Sequence, residues 1–398
     1  MALPKSLSCW ASTAPGLERV LAAELRRLGL APGEIEPGGV EFAATSAQLA
    51  DSVMQLRTAN RVAVRLASFE ARAFGELERR AAKVPWEEVL KPGGSVHFRV
   101  TSKKSKLFHE DGIAERLERA VAEIVKGARA VRAPAEVAIV EESDLRMSRI
   151  PRIQRIIVRL SRDTVTLSAD AAGPSLHLRG YRQDVAKAPM RETLAAALLL
   201  ASGWEPRMAL LDPFCGSGTI AIEAAMLARG IAPGRARRFA MEAWPAMNSN
   251  VMSDARKRAT ANEHRSDASI QGRDRDAGAI AASIANAERA GVAGDIKFTE
   301  ASLSSLEPDD GEGWVVTNPP YGARIGERDA LRDLYATLGR VLRERRPHWG
   351  LAMLSADPGL DGQVGLKLKE VLQTANGGIP VRVVQAKPGH AGNTQPHS

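Results

Sequence analysis

Cysteine is nearly absent: Cys9 and Cys215 are the only two in 398 residues. That excludes a disulfide framework and a cysteine-rich zinc site, and it fits a reduced, cytoplasmic setting. Aromatic residues reach only 4%, so a core has to be built mostly from Ala, Leu, Val and Ile. Long hydrophobic runs are missing too. The best, from Leu194 to Ala201, has eight residues, where a membrane helix needs about 20. Met1 to Leu7 contains one lysine and no apolar stretch, so no signal peptide and no membrane attachment are expected. Nowhere do His, Cys, Asp and Glu recur at metal-ligand spacing, and no metal is expected.

The remaining composition, 44% hydrophobic and 26% charged, is that of a globular chain long enough for two domains. The net charge of +8 is unevenly spread. Residues 1–200 hold 31 Lys and Arg against 24 Asp and Glu, whereas residues 201–398 hold 24 against 23. A polyanion is therefore expected to dock mainly on the first half. Lys103, Lys104 and Lys106 form one basic loop there, and Arg152, Arg155, Arg159 and Arg162 recur along a strand.

Periodicity separates the halves. Before about residue 170, helices at 13–28, 46–56, 74–83 and 111–126 mix with alternating strands at 40–42, 62–69, 95–101, 155–160 and 164–168, an α+β pattern. From about 190, short apolar strands at 209–211, 270–273, 296–298, 314–317, 350–354 and 381–384 alternate with helices at 219–229, 277–290 and 330–343. This spacing predicts a doubly wound, mostly parallel α/β sheet.

Three turns at strand ends carry chemistry. Leu211-Asp-Pro-Phe-Cys-Gly-Ser-Gly-Thr219 joins a strand to a helix, the place where open α/β sheets bind nucleotides. Gly216 and Gly218 allow close backbone approach, Asp212 supplies an anionic acceptor, and the missing Gly-Lys-Ser/Thr ending excludes a P-loop. Cys215 has no base placed to activate it and reads as a small packing residue. Asp274, at the second strand's tip, is suited to accept hydrogen bonds from a ribose, and Asp276 to cap the next helix. In Asn318-Pro-Pro-Tyr321, the Asn318 side-chain oxygen and the Pro319 carbonyl form a pair of acceptors beside the flat face of Tyr321. That set can hold a planar exocyclic amine and stack its ring.

With these motifs the chain resembles the class I S-adenosylmethionine-dependent methyltransferases that modify amino groups. More narrowly, it is similar to the THUMP-domain RNA methyltransferases, in particular bacterial large-subunit ribosomal RNA guanine-N2 methyltransferases. Further matching stretches are Leu176-His-Leu-Arg-Gly-Tyr-Arg182, Ala188 to Ala197, Ala232-Pro-Gly234, Asn318 to Gly326 and Asn376-Gly-Gly378. The resemblance implies a ferredoxin-like piece plus THUMP region over 1–165 (THUMP about 45–165) and a Rossmann-like methyltransferase domain over 166–398. It implies that Asp212, Phe214, Cys215, Gly216, Gly218, Thr219 and Arg275 line the S-adenosylmethionine site, with Asp274 at its ribose. Glu192 and Thr193 would close over it, and Ser302 stands where the family's adenine-contacting acid usually does. Asn318, Pro319, Pro320 and Tyr321 would hold the target base. The implied partner is ribosomal RNA or, sharing every motif, transfer RNA. A DNA adenine methyltransferase or a catalytically idle RNA-binding assembly factor fits less of the chain. Some relatives carry a further methyltransferase domain, and none is expected before Ser398.

Overall fold

A computed structural model describes residues 3–132, 150–183, 190–321 and 328–389. Ala188, Pro189 and the 322–326 part of the Asn-Pro-Pro-Tyr stretch, all part of the resemblance, lie outside the described residues. Contacts divide the chain into two compact units: 1–13, 21–180 and 233–261 in one, and 14–20, 181–232 and 262–398 in the other.

The first unit is built on one eight-stranded sheet, in the order β2-β3-β1-β4-β8-β7-β5-β6. Its strands are β1 (Leu7–Ser12), β2 (Pro32–Glu36), β3 (Gly39–Ala44), β4 (Arg61–Glu70), β5 (Ser95–Lys103), β6 (Arg129–Ala130), β7 (Ile153–Ser161) and β8 (Thr164–Asp170). Its helices include α2 (Ser46–Gln55), α3 (Phe74–Ala81) and α4 (Glu110–Ile124), while α1 spans Glu18–Arg27. The start of α2 is set by a capping box in which Thr45 and Gln48 exchange hydrogen bonds of 2.9 and 3.3 Å. β7 and β8 form a hairpin whose two-residue turn puts Arg162 and Asp163 at φ of 50° and 65°, matching the strands' twist.

The expected ferredoxin-like piece and THUMP region share one continuous sheet, because β4 pairs antiparallel with β8. The expected 165/166 boundary falls inside β8, whose backbone bonds to β4 and β7 on both sides keep it with the first unit. Residues 233–261, expected in the second domain, also belong to the first unit. Their buried side chains explain why. Trp244 Nε1 donates to Gln154 Oε1 at 2.7 Å, and Arg237 donates to the carbonyls of Ser175 and Leu178 at 2.9 and 3.0 Å. α7 (Val251–Ala261) packs on α2 in the same unit.

The second unit's sheet runs β11-β10-β9-β12-β13-β15-β14. These are β9 (Ala209–Asp212), β10 (Ile270–Asp274), β11 (Ile296–Glu300), β12 (Gly313–Thr317), β13 (Trp349–Ser355), β14 (Lys369–Asn376) and β15 (Ile379–Ala386). The first five are parallel, and β15 lies antiparallel to β13 and β14. Its helices include α5 (Glu192–Ser202), α6 (Thr219–Ala228), α8 (Ala277–Ala290), α9 (Arg328–Arg345) and α10 (Pro358–Gln363). α5 and α6 are apolar around most of their circumference and are buried accordingly. Strand order reverses between β9 and β12, the point at which such sheets leave a crevice beyond their carboxyl ends. No described helix is long and apolar enough to cross a membrane.

Candidate active site

Three neighbouring strands, β10, β9 and β12, deliver Asp274, Asp212 and Asn318 to the same carboxyl edge of the sheet. In register, Gly272 stands beside Asp212 and Val315 beside Leu211, so the three tips are adjacent.

The glycine turn after β9 is held from several directions. Cys215 N–H donates to the Arg273 carbonyl at 2.9 Å, and Gly216 N–H donates to Asp274 Oδ2 at 2.9 Å. From α8, Ser283 Oγ donates to the Gly216 carbonyl at 2.8 Å and Asn286 Nδ2 to the Ser217 carbonyl at 3.1 Å. Gly218 begins α6 at φ 81°, and a Cβ there would come within 3.0 Å of the Ser283 side chain. Glycine is required at that position by conformation and by space. Ser283 and Asn286 act on the turn from nearly seventy residues away, and nothing in their local sequence announced it.

Asp212 is buried. Its Oδ1 accepts from Thr317 Oγ1 at 2.6 Å and from Phe214 N–H at 3.2 Å. Burial pushes its pKa up to about 7, with the Asp274 charge adding to the rise and the two hydrogen bonds opposing it. Asp274 is half-buried and its Oδ1 accepts from Asp276 N–H at 3.1 Å. Asp276 caps α8 through Gly278 N–H and Ala279 N–H at 2.8 and 3.2 Å, which leaves Asp274 as the strand-tip acid. Cys215 is buried against Ser283, with Sγ 3.8 Å from Oγ, and burial pushes its thiol up. It packs, as its surroundings in sequence suggested.

Of the remaining predicted cofactor residues, Phe214 is half-buried in the turn and Thr219 is buried at the start of α6. Glu192 and Thr193 are buried at the start of α5, and Arg182 grips the Glu192 carboxylate with two hydrogen bonds of 3.0 Å. Arg275 is exposed after β10. Ser302 is exposed after β11, its Oγ 3.0 Å from Ser304 Oγ.

The Asn-Pro-Pro-Tyr turn leaves β12 differently. Pro319 is buried and Pro320 exposed. Tyr335 Oη on α9 donates to the Pro320 carbonyl at 3.4 Å. Tyr321 is half-buried, and its phenol oxygen accepts from Asn376 Nδ2 at 2.6 Å. Asn376 ends β14 at a hairpin whose Gly377 and Gly378 have φ of 58° and 88°. Asn318 Oδ1 is buried and has no hydrogen-bond partner among the described residues. A buried amide oxygen without a donor costs about 1–3 kcal/mol, and a planar N–H donor placed there would satisfy it.

A parallel sheet that reverses order beside its first strand, with one antiparallel strand added next to β13, makes this unit a Rossmann-like methyltransferase fold. The chain belongs to the RMKL-like methyltransferase-domain family, an S-adenosylmethionine-dependent family whose model matches residues 179–385. Residues 8–63 match the RlmL ferredoxin-like domain. The chain is 35% identical to the ribosomal RNA large subunit methyltransferase K/L of Syntrophotalea carbinolica, over 94% of its own length and 52% of that protein. It spans about half the length of such relatives. Among solved structures, a possible methylase of Clostridium difficile 630 superposes with TM-score 0.84 at 30% identity, covering 99% of this chain and 100% of that one. The structure of SMU.472 with SAH bound superposes with TM-score 0.82 at 31% identity, covering 97% and 99%.

The site fits S-adenosylmethionine on its own geometry: an immobilised glycine turn abuts a strand-tip acid, and the next strand ends at an acceptor with no donor among the described residues.

Proposed function

We propose that this chain transfers a methyl group from S-adenosylmethionine to the N2 exocyclic amine of a guanine in large-subunit ribosomal RNA, in the cytoplasm. The observation that carries this reading is the buried Asn318 Oδ1 at the tip of β12, which has no hydrogen-bond partner among the described residues. The ribosomal RNA named for the K/L relatives supports the choice of substrate.

Bound S-adenosylmethionine supplies an electrophilic methyl group on a sulfonium. The residues of this chain do the positioning. Asp274 takes the ribose hydroxyls, and the turn from Asp212 to Thr219 surrounds the methionine part. Asn318 Oδ1 and the Pro319 carbonyl accept the two N–H bonds of the guanine amine, while the ring of Tyr321 stacks on the base. An aromatic amine is a weak nucleophile because its lone pair is delocalised into the ring. Two acceptors draw its hydrogens into one arrangement and localise that pair toward the methyl group, so catalysis is orientation plus polarisation. The amine's proton leaves to water after transfer. The target base reaches this edge only by leaving its stack, and we assign the grip on the surrounding RNA to the more basic first half, with a THUMP region over about 45–165.

Mass-spectrometric mapping of methylated nucleosides in ribosomal and transfer RNA, from cells with and without the protein, tests the reading. One N2-methylguanine missing from large-subunit RNA is expected. Loss of the mark from transfer RNA alone would move the substrate, and loss of an N6-methyladenine instead would overturn the guanine assignment.

A further inference from the structure

The methyl-transfer site makes no use of a group of side chains at the end of β5. Phe108 is 65% exposed, the most exposed large apolar side chain among the described residues. Its ring leans on the His109 imidazole, with centroids 4.1 Å apart and planes at 39°. Lys103, Lys104 and Lys106 precede it, and Arg162 stands on the adjoining β7–β8 turn. None of these four cations has an ion-pair partner among the described residues.

The loop is firmly held. Lys106 N–H donates to Asp163 Oδ1 at 2.7 Å, Asp163 N–H to Ser105 Oγ at 3.0 Å, and Arg162 N–H to the Lys103 carbonyl at 3.3 Å. Ser102 Oγ donates to the Leu107 carbonyl at 2.6 Å. The nearby acids are engaged elsewhere or belong to a helix start. Asp163 faces Arg72 at 3.4 Å, Glu110 accepts from Ser102 N–H at 3.2 Å, and Asp111 lies in the first turn of α4. The fold therefore spends hydrogen bonds to present an aromatic pair in water amid unpaired positive charge.

We infer that Phe108 and His109 form a stacking platform for one unpaired nucleotide of the RNA, whose flanking phosphates meet Lys103, Lys104, Lys106 and Arg162. The inference rests on the RNA substrate proposed above and narrows it to an RNA with an exposed base outside the catalytic pocket. Every base offers a flat π-face, so an aromatic ring takes any base that is not already stacked. A duplex hides those faces. The platform thus selects an unpaired base in a loop, bulge or single-stranded overhang, and Arg99, on the same exposed side of β5 as Lys103, extends the basic surface beyond it.

The test uses the full chain with two RNAs of equal length, a hairpin with an open loop and a blunt duplex, titrated by fluorescence anisotropy across a salt series. Phe108→Ala should weaken hairpin binding about tenfold while leaving the salt slope unchanged, and Phe108→Trp should restore it. Duplex binding should move by less than about twofold, since no base face is on offer. Replacing Lys103, Lys104 and Lys106 together by Ala should lower the salt slope by about 2, at about 0.7 per phosphate. Cofactor affinity, measured on each variant, should stay at the wild-type value and reports folding. A Phe108→Ala protein that binds the hairpin like wild type, or that loses as much on the duplex, overturns the platform. A wild-type protein that binds neither RNA overturns the RNA reading itself.

Discussion

The donor edge and the acceptor edge of the site are finished to different degrees. At the tips of β9 and β10, Asp212 Oδ1 and both Asp274 oxygens already accept hydrogen bonds, and Ser283 and Asn286 tie down the glycine turn between them. At the tip of β12, the phenol of Tyr321 is anchored by Asn376, yet Asn318 Oδ1 is left buried with nothing to accept among the described residues. A rigid donor edge fixes where the methyl group arrives. In the proposed mechanism the acceptor edge keeps its buried oxygen for the amine, where a hydrogen bond is stronger than in water.

If that contrast is right, changes at the two edges should separate cleanly. Asn318→Ala should slow methyl transfer by about a hundredfold or more, as when one transition-state partner is lost, with cofactor affinity nearly unchanged by calorimetry. Its thermal midpoint should not fall, because the deleted oxygen had no partner to lose. Asp274→Ala should do the reverse, weakening cofactor binding by about 10- to 150-fold, the equivalent of about 1.5–3 kcal/mol. Unchanged affinity would remove the ribose role from Asp274.

Smaller effects sharpen the acceptor edge. Tyr321→Ala should cost about tenfold in rate, and Tyr321→Phe much less, since the ring face does the stacking. Asn376 is a positioning residue, so Asn376→Ala should match Tyr321→Phe and add nothing to it in a double-mutant cycle. Additive losses would give Asn376 a separate role.

A separate readout, stability against pH, concerns Asp212. Its folded pKa of about 7 lies above the ordinary 3.8, so between those values the folded state binds more protons than the unfolded one. Its contribution to stability is therefore highest in acid and falls as pH rises from about 4 to about 7. Asp212→Asn should flatten that part of the stability profile, followed by denaturation at several pH values. An unchanged slope would mean the carboxylate is already well solvated or compensated.

The parallel sheet was legible because short apolar strands alternate with helices and three of those strands end in turns with their own chemistry, and α8 begins where Asp276 predicted. Strand β1 was not: Leu7-Ser-Cys-Trp-Ala-Ser12 shows weak alternation, and its place is set by β3 and β4 on either side. Likewise β14 is an edge strand with little burial to pattern it. The Asn318-to-Tyr321 turn could be read from local sequence, but the supporting contacts of Thr317, Ser283, Asn286 and Asn376 could not. Each supports a group 55 to 105 residues away, and such pairings exist only once the sheet has formed. For the same reason the unit containing 233–261 was invisible, since Arg237 and Trp244 find their partners in residues 154–178.

The most direct test is a single-turnover assay of methyl transfer to ribosomal RNA by Asn318→Ala and Asp274→Ala, each at saturating cofactor. Saturation should return Asp274→Ala to near the wild-type rate, while Asn318→Ala should stay about a hundredfold slow or worse. An Asn318→Ala protein that transfers methyl groups at nearly the wild-type rate would contradict the role given to Asn318.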